Sequence, residues 1–244
     1  MKSPLLLFVP AAFFLWSSCT GQVNLNKWKE GADKVLKQTT GDAGLTEEDI
    51  ISGLKEALKV GSENAGAKGS QVDGFFKNPL IFIPFPPEVQ KVADKLRELG
   101  MQEQVDKFVE TLNRGAEEAC KKAAPIFVDA VMKMTFRDAR NILAGSDTAA
   151  TQYLRQTTSA QLFTAFRPVI DAALNSVGAT QHWETLVNIY NKIPFVEKVN
   201  PDLGAYTTHR AIKGLFFLVG QEETKIRKDP AAQVTELLKK VFGR

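Results

Sequence analysis

This chain predicts an all-α fold, and three observations carry the prediction. Apolar residues recur at three- and four-residue spacing along nearly the whole length, capping residues and glycines punctuate those runs, and no alternating strand pattern appears outside one proline-rich stretch. The expected architecture is a single multi-helix, bundle-like domain with one Pro-rich extended segment at about residues 79–87. Of the 244 residues 44% are hydrophobic and 9% aromatic, ample material for a packed core.

In chain order, Leu25, Trp28, Ala32, Val35 and Leu36 make an amphipathic first helix that ends before Gly41. Thr46 with Asp49 three residues on has the spacing of a capping box, and Ile50, Leu54, Ala57, Leu58 and Gly61 continue it at helical period. Residues 61–68 glance at a phosphate-binding loop but lack its Gly-Lys-Ser/Thr ending and a preceding strand, so nucleotide binding is rejected there. The run from Gly74 to Pro87 follows. Pro84, Pro86 and Pro87 fix an extended backbone and remove amide donors, which makes this a connecting loop packed across the helices. The sharper alternative is an apolar edge, Leu80 to Phe85, that meets a partner or a lipid surface.

Pro87 opens a helix carrying Val89, Val92, Ala93, Leu96 and Leu99, closed by Gly100. The longest pattern runs from Val105 to Met134, with Pro125 expected to kink or divide it, and Asn113 and Arg114 lie beside its apolar stripe. A buried Arg114 needs a partner, for which Asp138 is one candidate. Two short helices are then expected between Thr135 and Thr158. Thr135 and Asp138 form a second capping box, Gly145 stops the first helix, and Ser146 or Asp147 caps the next, which sets Thr151 and Arg155 one turn apart. Leu162 to Val177 forms a further helix containing Pro168 and ending at Gly178; Trp183 to Ile193 continues to Pro194; Asp202 introduces a helix through Val219. Glu223 and Arg227 then stand at pairing distance, and Val234, Leu237, Leu238, Val241 and Phe242 give a last helix that docks on the body.

The N-terminus carries an address. Lys2 precedes an apolar run from Leu5 to Trp16, too short for a bilayer span of roughly 20 residues but suited to a secretory leader. Residues 1–18 therefore read as a signal peptide, 19–26 as a short tether and 27–244 as the helical domain. Leu15-Trp16-Ser17-Ser18-Cys19 resembles a bacterial lipobox, which makes Cys19 the candidate lipidated residue and a lipid anchor on Cys19 the link to a membrane. The chain holds two cysteines, so a lipidated Cys19 leaves Cys120, on an apolar helix stripe, as a small buried hydrophobe.

No catalytic signature is present. His182 and His209 stand apart without acidic residues at ligand spacing, so no metal or cofactor site is expected, and adjacent Glu117-Glu118 and Glu222-Glu223 point to different helix faces. A formal charge of +3 with scattered basic pairs gives no clustered stripe for nucleic acid. What stays open is a polar set: Arg114, Asp138, Thr151, Arg155, Glu222, Glu223 and Arg227. Converging, these residues line a pocket for a small anionic ligand; otherwise they form a structural network joining the central helix pair to its neighbours.

Gly53 to Leu58, Asn78 to Pro84, Leu112 to Glu117, Met134 to Ala139, Gly145, Ala149 to Arg155, Gly214 to Phe216 and Glu222 to Pro230, taken in this order, resemble the bacterial domain-of-unknown-function family 4197. The resemblance spans nearly all of the chain after the leader. Gly115 stands where the family pattern usually has Ala, a small-for-small change. It implies an exported, helical protein on the periplasmic face of a Gram-negative envelope and carries over no activity. The expectation is a non-catalytic envelope lipoprotein acting as a binding or structural module with an envelope protein partner; the alternatives are a small-ligand or lipid-binding protein and an enzyme of unrecognised type.

Overall fold

The computed structural model describes residues 46–192, 194–195, 197–229 and 232–233, all within a compact unit spanning 44–244. The leader, Cys19, the tether, the helix expected from Leu25 and the last helix expected from Val234 lie outside the described residues. Eight α-helices appear among them: α1 Glu47–Ser70, α2 Gln90–Glu98, α3 Gln102–Cys120, α4 Ala123–Met132, α5 Phe136–Ala144, α6 Ala149–Ser176, α7 Ala179–Tyr190 and α8 Leu203–Lys228. A 3₁₀ turn, Pro87–Val89, precedes α2, and no strand occurs among the described residues. The protein is all-α.

Local chemistry accounts for the helix starts. Thr46 and Asp49 close the expected box at α1, each side chain bonding the other residue's amide at 3.1 Å. Thr135 and Asp138 do the same at α5, at 3.2 and 3.0 Å. The long pattern from Val105 divides as expected. The break falls at Lys121–Lys122, and Pro125 sits in the first turn of α4, where its missing N–H costs nothing.

The central helix pair is corrected in one respect. Its second member is the first part of the 28-residue α6, which runs through Thr158 to Ser176. The Thr157, Thr158 and Ser159 hydroxyls fold back onto the carbonyls of Tyr153, Leu154 and Arg155 at 2.9, 2.5 and 2.6 Å, so they find partners inside the helix rather than ending it.

Helix α8 is the hub, packed against α1, α3 and α6, with more than half of its 26 residues buried. Leu154, Leu162, Phe166, Ile170, Leu203, Leu215 and Phe216 are among the residues that fill the core around it. The proline segment crosses these helices as a packed loop. Phe75, Ile81, Ile83 and Phe85 are buried, while Leu80 stands 63% exposed. Phe75 fits because position 214 of α8 is glycine: a Cβ there would lie 2.7 Å from the Phe75 ring.

Candidate functional site

The seven polar residues do not form one cluster, and α8 explains why. Glu222 and Glu223 are adjacent on that helix and so face about 100° apart, one toward α1 and the other toward α6.

Glu223 is the centre of the α6 side. Its carboxylate accepts the backbone amides of Ala150 at 3.1 Å and Thr151 at 2.8 Å, and the Thr151 hydroxyl at 2.7 Å. Arg227, one turn later, donates to Glu223 through Nε at 3.1 Å and Nη2 at 3.0 Å, and Nη2 also reaches the Ile142 carbonyl of α5 at 3.2 Å. Thr151, Glu223 and Arg227 therefore come together. Neither Ser146 nor Asp147 caps α6, as the sequence suggested. The N-cap position is Thr148, whose side chain makes no cap bond, and the amides at the second and third helical positions are taken by Glu223 instead. A carboxylate at a helix N-terminus is favoured by the partial positive charge there. Asp147 pairs with Lys228 at 2.7 Å, a contact that holds its carboxyl below the usual range.

Glu222 turns the other way. It is buried and bonds Lys68 and, at 3.2 Å, the Asn64 amide, both on α1.

Arg114 forms a separate centre, and its expected pairing with Asp138 is corrected. Its guanidinium contacts Glu117 at 2.8 Å, Asp73 at 2.8 Å and Glu110 at 3.2 Å, and stacks 5.0 Å from the Phe76 ring centroid. These bonds, Glu117 first, hold Arg114 more firmly protonated than usual, and Lys77 followed by Arg114 lowers the Asp73 carboxyl. Asp138 is occupied in its own capping box, where the Thr135 hydroxyl and then the Thr135 amide lower its pKa. Arg155 joins neither group. It lies exposed on α6 with its guanidinium 4.9 Å from the Phe216 ring centroid.

Several structurally weighty residues were left out of the polar set read from sequence. Buried Glu117 accepts the Phe75 and Phe76 amides at 3.0 and 3.1 Å. Asn113 clamps the proline segment, accepting the Ile83 amide at 2.9 Å and donating to the Ile83 carbonyl at 2.9 Å. Arg167 ties α6 to the start of α8, bonding Asp171 at 2.6 Å and the N-cap residue Asp202 at 3.0 Å. The Arg167–Asp171 spacing of four was a readable signal; the loop contacts of Asn113 and Glu117 had none.

Beside Glu223 lies a cavity of about 30 Å³, lined by Leu54, Leu58, Ser62, Leu154, Ile226 and Arg227 among others. That is room for one or two water molecules, at about 10–15 Å³ of such space for each. Among the described residues no group of three His, Cys, Asp or Glu side chains could hold a metal, and no helix is long and apolar enough to cross a membrane. Cys120 is a buried free thiol whose pKa burial pushes up, with Glu117 adding to the effect.

No curated protein and no solved structure matches this chain. Residues 44–243 match a family model described as Protein of unknown function (DUF4197), the stretch that holds every helix and each polar centre above, and the chain belongs to that family.

Proposed function

We infer that the protein is a non-catalytic, lipid-anchored envelope module that acts through its surface, as a binding or structural partner of another envelope component. The observation that supports this reading is the use of the buried charges. Glu223 joins α8 to α6, Glu222 joins α8 to α1, and Glu117 with Arg114 joins α3 to the loop after α1. These groups act as joints between elements, which leaves the surface for recognition. The leader and Cys19 supply the location in this reading. The small-ligand alternative gains no support from a cavity of about 30 Å³, since ligand pockets run to roughly 300–1,000 Å³.

The test is Cys19→Ala in the full chain expressed in a Gram-negative host, followed by fractionation and intact-mass measurement. The unsubstituted protein is expected in the membrane fraction, beginning at Cys19 and carrying the mass of a lipid. The variant is expected to be released by alkaline carbonate. A Cys19→Ala protein that stays carbonate-resistant in the membrane refutes the anchor.

A further inference from the structure

The connection between α7 and α8 closes on itself. The Asn191 side chain holds both backbone groups of Val199: its Nδ2 donates to the Val199 carbonyl at 2.8 Å, and its Oδ1 accepts the Val199 amide at 2.8 Å. The Lys198 ammonium adds a bond to the Asn191 carbonyl, and Val199 itself is buried. The two ends of the loop are thereby pinned to each other and to the body. Its outer part does the opposite. Pro194 is exposed, and Phe195 is fully exposed, at 107% of its reference area. The Phe195 backbone has φ +65°, a left-handed conformation that bulky residues rarely adopt. Ile189, on the last turn of α7, is 64% exposed, and Lys192 and Lys198 lie exposed on either side of the tip.

A phenylalanine held outward gives the fold no burial, and its backbone conformation is strained. Strain that persists on a well-fixed base points to a role outside the fold. We propose that the tip of this connection is membrane-contacting: Phe195 and Ile189 enter the interfacial layer of a phospholipid bilayer, with Lys192 and Lys198 beside anionic headgroups.

Size and charge favour a bilayer over a protein. A buried aromatic side chain covers about 150–250 Å², so these two apolar residues fall well short of the roughly 800 Å² per partner of a specific protein interface. A wedge of one aromatic and one aliphatic residue flanked by lysines is the chemistry of interfacial anchoring. Exposed Glu197 offsets one of the two lysine charges, so added salt weakens the contact only in part. The proposal rests on the envelope reading for where the bilayer is; the contact is a property of the loop.

The experiment places a cysteine at the tip, Phe195→Cys, in the full chain and attaches an environment-sensitive fluorophore. Gln161→Cys, exposed in the middle of α6, is the control, and the unsubstituted chain, which carries Cys19 and the buried Cys120, is the blank whose labelling is subtracted. Vesicles of phosphatidylethanolamine and phosphatidylglycerol are expected to shift the emission at 195 to the blue, and nitroxide-labelled lipids to quench it, with neither effect at 161. Equal response at the two positions overturns the proposal. So does a shift at 195 that follows protein concentration without lipid, the signature of a second copy docking there. Mass measurement at Cys19 keeps the two readings apart: quenching without lipidation refutes the anchor alone, and lipidation without quenching refutes the tip alone.

Discussion

Replacing Glu223 with Gln tests whether α8 truly starts α6. The Glu223 side chain is 6% exposed and its Arg227 partner 15%, so both charges sit largely out of water. Glutamine keeps the shape but offers one acceptor oxygen and presents two N–H donors. One of the Thr151 amide and the Arg227 guanidinium must then face a donor. Breaking a buried pair by removing one partner costs about 3–5 kcal/mol. For a chain of this size, 1 kcal/mol moves Tm by roughly 2–4 °C, so the expected fall is about 6–20 °C. Thermal unfolding followed by circular dichroism reads it. Arg227→Ala supplies the internal comparison. It leaves Glu223 with the Ala150 amide, the Thr151 amide and the Thr151 hydroxyl, and removes the bond to Ile142. Its cost is expected to be smaller, about 1–3 kcal/mol, because those three hydrogen bonds still compensate the carboxylate charge, whereas Glu223→Gln leaves the Arg227 charge without a carboxylate. A Glu223→Gln protein that unfolds within about 3 °C of the parent, less than about 1.5 kcal/mol on the same scale, refutes the reasoning. An Arg227→Ala protein that suffers the larger loss refutes it too, because the pair rather than the helix terminus would then carry the energy.

Other outcomes follow from the same geometry. Asn113→Ala strips the Ile83 amide and carbonyl of their partner in a buried site, and is expected to cost about 2–4 kcal/mol in denaturant unfolding; a cost under about 0.5 kcal/mol would show that the proline segment holds its path without the clamp. Acidification is expected to lower Tm. Asp73, Asp138, Asp147 and Asp202 all have folded pKa values below normal; at Asp202, burial works against this but the Ala205 amide and Arg167 prevail. A depressed carboxyl contributes stability above its unfolded pKa of about 3.9 and loses it as pH falls through the folded value. Asp202→Asn should flatten part of that loss in a pH series of melting curves, and an unchanged series would sink the assignment.

Features written within one turn of helix were legible in the sequence. The Thr46–Asp49 and Thr135–Asp138 boxes and the Glu223–Arg227 pair depend on residues three or four apart, and the division of the long pattern is marked by Pro125 alone. The family, too, was legible, because its signature residues lie spread along the chain. Contacts between distant residues were not. Asp73 lies 41 residues before Arg114, and Thr151 lies 72 before Glu223, so no spacing rule connects them. Arg114 could be read as needing a partner but not as having Asp73, since the loop carrying Asp73 is placed by Glu117 and Asn113 from α3. The same limit made α6 look like two helices. The second short helix was expected to end at Thr158, where the hydroxyls of Thr157 to Ser159 in fact close back on carbonyls within one continuous helix.

The borrowed cap on α6 also bears on the order in which the molecule can assemble. A chain that emerges N-terminus first presents Ala150 and Thr151 long before Glu223 has been made. Until then the leading amides of α6 have only water, so the first turn frays and its docking against α8 waits. The joint closes late, over a separation that makes the contact slow to find. A molecule cut short before residue 223 would keep most of its helical sequence and still lack the carboxylate that tells α6 where to begin. The start of α6 thus waits on the synthesis of α8.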